Sequence, residues 1–362
     1  MEPIVVAGAG QTEFRADRVE DTFADLVYEA AQAALADAGL SIADIDNVVT
    51  ASNDFWDGRT ISSMAIGDAA GAAFGDGKPV STVEGDGLFA AVYGMSRILS
   101  GAYRTTLVVA HSKGSEGRSE LITNAFFDPI TERPIGLDAV SAGGLQARAF
   151  LDRWKPGADD CARVVVKNRG FGARNPKAHR REPVTADEAL RSALVAEPLR
   201  EADVCPVSDG AAAVVLARED FARGRCPRPV RVRGVGFCAD APMTQRPLWE
   251  SAALREAGRA AYRRAGVIEP SREIDAAEVS EQFSFQELLW RQELSLAVPE
   301  RVNRSGGCLS AHAWIAAGLA RLVEASLLLR GEGPNPIEAR TALAHGQYGL
   351  CGQSHCVWVL GR

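Results

Sequence analysis

Two glycine-rich segments in the last third of the chain contain the side chains best suited to chemistry. Thiol, imidazole and phenol groups can act as nucleophile, general base or general acid. The first segment, 305–312, contains Cys308 and His312, and the second, 344–353, contains His345, Tyr348 and Cys351.

A metal site is a weaker interpretation of the same region. His345, Cys351, His355 and Cys356 are close in sequence. However, the last two fall in a predicted strand, where neighbouring side chains face opposite sides. The chain has 7 cysteines, none in a C-x-x-C spacing. We therefore predict no metal, no other cofactor and a reducing, cytoplasmic location.

Composition limits the class of protein. The 362 residues are 46% hydrophobic and 24% charged, as in soluble globular proteins. The net charge of -7 and an aromatic content of 7% argue against nucleic-acid binding. The sequence shows no basic leader at Met1 and no apolar run long enough to span a bilayer.

The two halves of the chain resemble each other. Ile4-Val5-Val6 leads into Gly8-Ala9-Gly10, and Val230-Arg231-Val232 leads into Gly234-Val235-Gly236, each interpreted as a strand and a glycine turn. An alanine-rich helix follows in both halves and is closed by Gly39 or Gly266. A glycine loop then precedes an apolar helix, at 84–87 and again at 305–307.

This repeat predicts an α/β fold of two duplicated halves, with mostly parallel sheets and helices on both faces. The halves are residues 1–225 and 226–362, and a loop-domain insert occupies about 112–203. The site should lie between the halves, where helix N-termini meet.

Three segments resemble the thiolase superfamily, particularly the sterol-carrier-protein type. They are Cys205-Pro206-Val207-Ser208-Asp209-Gly210, Val302-Asn303-Arg304-Ser305-Gly306-Gly307 with His312, and the insert segment 163–178. The resemblance covers nearly the whole chain and implies the thiolase fold and a homodimer.

The resemblance also implies where the catalytic residues should be. The family's nucleophilic cysteine falls on Gly87, which cannot form a thioester. Ser280 replaces the usual Asn or His of another motif, His345 stands at a Cys or His position, and Tyr348 stands where glycine is usual. The chain therefore resembles cysteine-free steroid side-chain aldolases.

Those aldolases imply retro-aldol cleavage of a β-hydroxyacyl-CoA through a stabilised thioester enolate. Tyr348 would be base or acid, His312 and His345 would hold the thioester oxygen or relay the proton, and Gly87 and Gly349 would supply backbone N–H groups. Ser280 would contact the substrate, and Arg174 and Lys177 would contact CoA phosphates. The partner would be a small OB-fold, zinc-ribbon protein in a heterotetramer.

Two alternatives stay open at this point. One is an acyltransferase that uses a relocated thiol, Cys308 or Cys351. The other is a non-catalytic subunit that acts as a scaffold or holds a lipid.

Overall fold

The computed structural model describes residues 3–72 and 77–362, which form eleven strands. They are β1 (Ile4–Gln11), β2 (Asn47–Ser52), β3 (Val80–Glu84), β4 (Thr105–Lys113), β5 (Leu194–Ala196), β6 (Leu199–Arg200), β7 (Asp209–Arg218), β8 (Val230–Ala239), β9 (Ala276–Glu278), β10 (Thr341–Tyr348) and β11 (Ser354–Gly361).

The helices vary widely in length, from single turns to four turns. They are α1 (Phe23–Ala38), α2 (Asp54–Asp57), α3 (Gly87–Leu99), α4 (Ser119–Asn124), α5 (Ala139–Trp154), α6 (Ala158–Gly172), α7 (Ala186–Arg191), α8 (Glu219–Ala222), α9 (Ala252–Ala265), α10 (Pro270–Glu273), α11 (Ser284–Glu293), α12 (Gly307–Ser310) and α13 (Ala317–Arg330).

One nine-stranded sheet runs through both halves, in the order β3-β2-β4-β7-β1-β8-β11-β10-β9. Pairing is parallel among β3, β2 and β4 at one end and between β10 and β9 at the other. The ladders between β4 and β10 are antiparallel, including the β1–β8 pair that joins the halves. The predicted α/β architecture is confirmed, with its parallel pairing at the two ends of the sheet.

Helices cover both faces of this sheet. On one face α1 packs against β1 and β7, and α9 packs against β8 and β11. On the other face α3 packs against β4 and β2, and α13 packs against β10 and β7. Neighbouring residues of β7 point to opposite layers, so Val215 joins the α1 core while Val214 joins the α13 core.

The glycine pairs that the sequence placed in turns lie inside strands. A Cβ on Gly8 would lie 2.2 Å from the backbone oxygen of Ala34 in α1, and one on Gly234 would lie 2.2 Å from the oxygen of Ala261 in α9. The turn prediction was therefore wrong. These glycines let a helix pack directly against strand backbone, and the same device appears in both halves.

The helix predictions of the repeat are confirmed. Helices α1 and α9 each end at a left-handed glycine, Gly39 with φ 67° and Gly266 with φ 70°. The insert at 112–203 is largely helical, because it contains α4 to α7 as well as the small β5–β6 hairpin. The proposed boundary at residue 225 stays a prediction.

Candidate active site

The loop between β3 and α3 is built around Asp86. One oxygen of its carboxylate accepts the backbone N–H of Leu88 at 2.8 Å, which caps α3. The other accepts the N–H of Gly318 at 2.7 Å, at the start of α13. Burial raises the pKa of Asp86 to about 7, against the lowering effect of these two N–H groups. The loop thus joins the N-termini of two buried helices, one from each half.

Gly87 has no room for any side chain. A Cβ at this position would lie 2.5 Å from the Cβ of Ala110 and 2.8 Å from the Cβ of Leu319. Both distances are far below van der Waals contact, and both neighbours belong to packed elements, β4 and α13. The space of a nucleophilic thiol is therefore filled by core atoms, and Gly87 faces this core.

A cavity lies at the end of β10, beside this loop. Aromatic and aliphatic side chains make up much of its wall, and two glutamines and a tyrosine add polar groups. The lining residues are Trp56, Phe126, Ala139, Gln282, Trp314, Ile315, Gln347, Tyr348, Gly349, Leu350 and Cys351. The cavity is small, about 30 Å³, and its wall combines apolar and polar groups.

The two tryptophans of this cavity stack on each other, with ring centroids 4.7 Å apart. The indole nitrogens of Trp56 and Trp314 are both buried and have no hydrogen-bond partner within the described residues. The side-chain oxygen of Gln347 is also buried and unpaired there. Unpaired buried polar atoms are costly, so the cavity wall has unused capacity to bind a polar ligand atom.

Tyr348 is one of two ionisable side chains of this cavity wall, the other being Cys351. Its hydroxyl oxygen accepts a hydrogen bond of 3.1 Å from the side-chain amide of Asn53. Burial raises the pKa of Tyr348 to about 12, and the carboxylate of Glu84 adds to the effect. The phenol is therefore protonated at neutral pH.

His312 lies in the segment between α12 and α13, and α13 begins only at Ala317. The His312 ring is buried, lies 5.0 Å from the Trp314 ring, and has no partner within the described residues at either nitrogen. Burial and the positive charge of Arg321 lower its pKa to about 3, so the imidazole is neutral.

His345 has a different environment, because both of its ring nitrogens are engaged. Its Nδ1 accepts the backbone N–H of Ser280 at 3.3 Å, which places the proton on Nε2. That proton is donated to Nδ1 of His355 at 3.0 Å, and the Nε2 of His355 lies 3.0 Å from the hydroxyl of Ser251. Burial lowers the pKa of His345 to about 3.

Strand geometry also separates His345 from Tyr348. Successive residues of a strand point to opposite faces, so positions 345 and 348 of β10 cannot share a face. His345 contacts Trp290 and His355, whereas Tyr348 contacts Asn53. The structure therefore does not bring the predicted trio of Tyr348, His312 and His345 into one cluster.

Of the other residues that were predicted to contact the substrate, only some lie at the cavity. Gly349 lines the cavity in the left-handed conformation, with φ 81°. Ser280 is buried, and its hydroxyl lies 3.5 Å from the sulfur of Cys308. Ser280 and Gly87 are not among the residues that line the cavity.

Arg174 and Lys177 are not among the residues that line the cavity. Arg174 donates to the side chain of Asn335 at 3.2 Å, just beyond the C-terminus of α13. Because α13 has 14 residues, about 20 Å of helix separates that end from the Asp86 loop. Their contact with CoA phosphates stays a prediction.

Neither alternative thiol is activated. Burial raises the pKa of Cys308 and that of Cys351 to about 12. Cys308 is fully buried, and the thiol of Cys351 donates to the backbone oxygen of Ala142 at 3.3 Å. Both thiols are therefore protonated; Cys308 lies in the core, whereas Cys351 also lines the cavity.

Sequence reasoning missed Asn53 as a partner of Tyr348, and it named Glu84 only as part of a motif. Asn53 links Glu84 to Tyr348, because its side-chain amide donates to Glu84 at 3.1 Å as well as to Tyr348. The sequence did contain a signal for Glu84. This residue lies two positions before Asp86, in the loop where the family's nucleophile is expected.

Residues 3–72 and 77–362 contain no group of three or more His, Cys, Asp or Glu side chains arranged to hold a metal ion. In the same residues, no helix combines the length and apolar character that crossing a membrane requires.

Two relatives with different activities share sequence with the chain. It is 28% identical to an acetyl-CoA acetyltransferase of Methanothermobacter thermautotrophicus, with 100% of both chains covered. It is 30% identical to the 17-hydroxy-3-oxo-4-pregnene-20-carboxyl-CoA lyase of Mycobacterium tuberculosis, over 62% of this chain and 60% of the lyase.

Solved structures agree on the fold. The Ltp2-ChsH2(DUF35) aldolase superposes with a TM-score of 0.83 at 24% identity, covering 99% of this chain and 97% of that one. Human mitochondrial 3-ketoacyl-CoA thiolase gives a TM-score of 0.79 at 16% identity, covering 99% of both chains. The family described as "Thiolase, N-terminal domain" matches residues 4–220, which is more than half of the chain. The chain therefore belongs to the thiolase superfamily.

Proposed function

We propose that this protein cleaves a β-hydroxyacyl-CoA by a retro-aldol reaction, releasing a ketone or aldehyde and a shorter acyl-CoA. The observation that carries the proposal is the contrast between two positions of the site. Core atoms fill the place of a nucleophile at Gly87, while the protonated hydroxyl of Tyr348 borders an apolar cavity. A thiolase-type site without its thiol retains the ability to stabilise a thioester enolate.

The proposed substrate is a steroid or bile-acid side-chain thioester. Trp56, Phe126 and Trp314 give the cavity wall an aromatic surface that an apolar part of the substrate can contact. The Mycobacterium tuberculosis relative is a pregnene-carboxyl-CoA lyase, and one protein with the same fold is an aldolase. The substrate itself supplies the CoA, so the proposal requires no additional cofactor.

Each site residue has a proposed role. Tyr348 exchanges a proton with the substrate, and the backbone N–H of Gly349 and the unpaired ring of His312 stabilise the enolate oxygen. We assign His345 and Ser280 to the support of β10, because their polar groups are already paired. Gly87 contributes by making room for the core.

The proposed assembly is a homodimer combined with a small OB-fold, zinc-ribbon partner in a heterotetramer. Strand β3 is the edge strand of the sheet and alternates exposed and half-buried residues, so it could pair with a second copy. The Ltp2-ChsH2(DUF35) aldolase, which has the same fold, is named for two components, and this supports the proposal of a partner protein.

The test is turnover of β-hydroxyacyl-CoA thioesters by the purified protein, alone and with a candidate partner. Mass spectrometry should detect both the carbonyl product and the shortened acyl-CoA. Thiolysis of a 3-ketoacyl-CoA in the presence of CoA is the matched control and should be absent. Thiolysis without cleavage would overturn the proposal.

The acetyltransferase relative keeps acyl transfer as the alternative to exclude. Such transfer would proceed through an acyl adduct on Cys308 or Cys351, although both thiols are protonated. Intact-protein mass spectrometry after incubation with an acyl-CoA should show no adduct. Turnover by the purified complex would in turn exclude a purely scaffolding role.

A further inference from the structure

The orientation of the Asn53 side chain is fixed by the start of α2. Its carbonyl oxygen accepts two backbone N–H groups, from Phe55 at 3.0 Å and from Trp56 at 3.1 Å. The amide nitrogen must then point the other way, and Asn53 is 1% exposed. Its two hydrogens go to Glu84 and Tyr348, each at 3.1 Å. No alternative amide orientation satisfies all four contacts.

This arrangement determines what the Tyr348 hydroxyl can do. Its oxygen accepts from Asn53, so its own hydrogen does not point at Asn53. No other hydrogen bond to this hydroxyl is formed within the described residues. The phenol hydrogen is therefore available to a substrate in the cavity that Tyr348 lines.

Glu84 completes the arrangement. It ends β3, is exposed, and accepts from the same amide nitrogen that donates to Tyr348. A carboxylate and a phenol thus lie on either side of one amide, which holds the two at a fixed separation. One group can accept a proton while the other can donate one.

We propose that Asn53 is a positioning residue that makes Tyr348 the proton donor of the reaction and pairs it with Glu84 as the base. This inference rests on the retro-aldol function proposed above and assigns the roles within it. It concerns three side chains that β2, β3 and β10 bring together from distant parts of the chain.

The proton balance of the reaction closes within this trio. Glu84 accepts the proton of the β-hydroxyl while the Cα–Cβ bond breaks, and the hydroxyl carbon becomes the carbonyl of the leaving product. The electron pair of the broken bond forms the thioester enolate. Tyr348 then gives its phenolic proton to Cα, and the proton held by Glu84 returns to the tyrosine oxygen. No co-reactant is consumed.

The first test is Asn53→Asp, in a protein shown to cleave a β-hydroxyacyl-CoA. Asp caps helices as well as Asn does, so α2 should form. The new carboxylate oxygen cannot donate, and it would accept the Tyr348 hydrogen and turn it from the substrate. We expect kcat to fall about 100-fold with KM changed less than about threefold.

Combining this change with Tyr348→Phe distinguishes positioning from a structural role. If Asn53 acts through Tyr348, the double variant should be no slower than Tyr348→Phe alone. A further multiplicative loss would overturn the positioning role. Asn53→Ser retains a capping oxygen and serves as the second variant if the first fails to fold.

Glu84→Gln tests the base, since its amide oxygen can still accept from Asn53. We expect a loss of about 100-fold in kcat. The matched control is Glu256→Gln, which removes an exposed carboxylate paired with Arg259 on α9 and should leave turnover unchanged. Full activity of Glu84→Gln or of Asn53→Asp would overturn the inference but leave the retro-aldol function standing. Absence of cleavage by the wild-type complex would instead refute that function.

Discussion

Tyr348 and His345 are three residues apart on β10, yet the two faces of this strand provide opposite environments. The Tyr348 hydroxyl accepts one hydrogen bond and keeps its proton for the cavity. The His345 ring uses both nitrogens in a buried chain that reaches His355 and Ser251. The comparison shows that an ionisable residue near a site is available for chemistry only if at least one of its donor or acceptor atoms has no partner in the protein.

The largest expected effect is a loss of activity on the face of β10 that carries Tyr348. Tyr348→Phe removes the hydroxyl and its proton but retains the ring, and we expect kcat to fall by about 10²–10⁴-fold. Stability should change by only about 1 kcal/mol, because one hydrogen bond from Asn53 is lost. Steady-state cleavage rates and a thermal unfolding scan check the two halves of this prediction. Normal turnover would remove Tyr348 from the mechanism.

On the face of β10 that carries His345 we expect the opposite result, a loss of stability with little loss of activity. His345→Leu leaves the buried N–H of Ser280 and the Nδ1 of His355 without partners. Each unpaired buried group costs about 1–3 kcal/mol, so the free energy of unfolding should fall by about 3 kcal/mol. The folded fraction should retain most of its activity. Denaturant titration with activity assays would show this, and a stable but inactive variant would contradict it.

The effect of His345 on stability should also depend on pH. Its pKa is lowered in the fold from 6.5 to about 3, so the unfolded chain binds a proton that the folded chain excludes. The free energy of unfolding of the wild-type protein therefore decreases as the pH falls from about 6.5 towards 3, because protonation of His345 favours the unfolded chain. The stability difference between wild type and His345→Leu should narrow over that window. Denaturant midpoints at pH 7 and pH 5 measure it, and a constant difference would argue against the buried neutral ring.

The smallest expected effect is on a thiol behind the site. Cys308→Ala should leave the cleavage rate unchanged, because this sulfur is fully buried and contacts only the hydroxyl of Ser280 among the described hydrogen bonds. A rate assay on the purified variant is sufficient. A large loss would restore the acyltransferase alternative.

The sequence predicted the fold well because the fold depends on local signals. The alanine-rich helices and their closing glycines were correct, since helix capping is decided within a few residues. The glycine pairs of β1 and β8 were misplaced in turns. Their role depends on helices that pack on them from further along the chain, which a local pattern cannot show.

The site was predicted less completely. Residues 344–348 were interpreted as part of a glycine loop, so the alternation that separates His345 from Tyr348 was not applied. Asn53 was missed because it meets Tyr348 from 295 positions away in the chain. Contacts of this kind follow from the packing of the whole sheet and have no signature in the neighbouring sequence.

The packing around Gly87 bears on how a thiol could be restored at this position. Restoring a cysteine there would require Ala110 to lose its Cβ and would bring the new side chain against the Cβ of Leu319 as well. Replacing Leu319 by glycine to make room would remove a fully buried side chain from α13, at a cost of about 2–5 kcal/mol or more. Each of these changes is destabilising by itself, so a thiol at position 87 would require several core positions to change together.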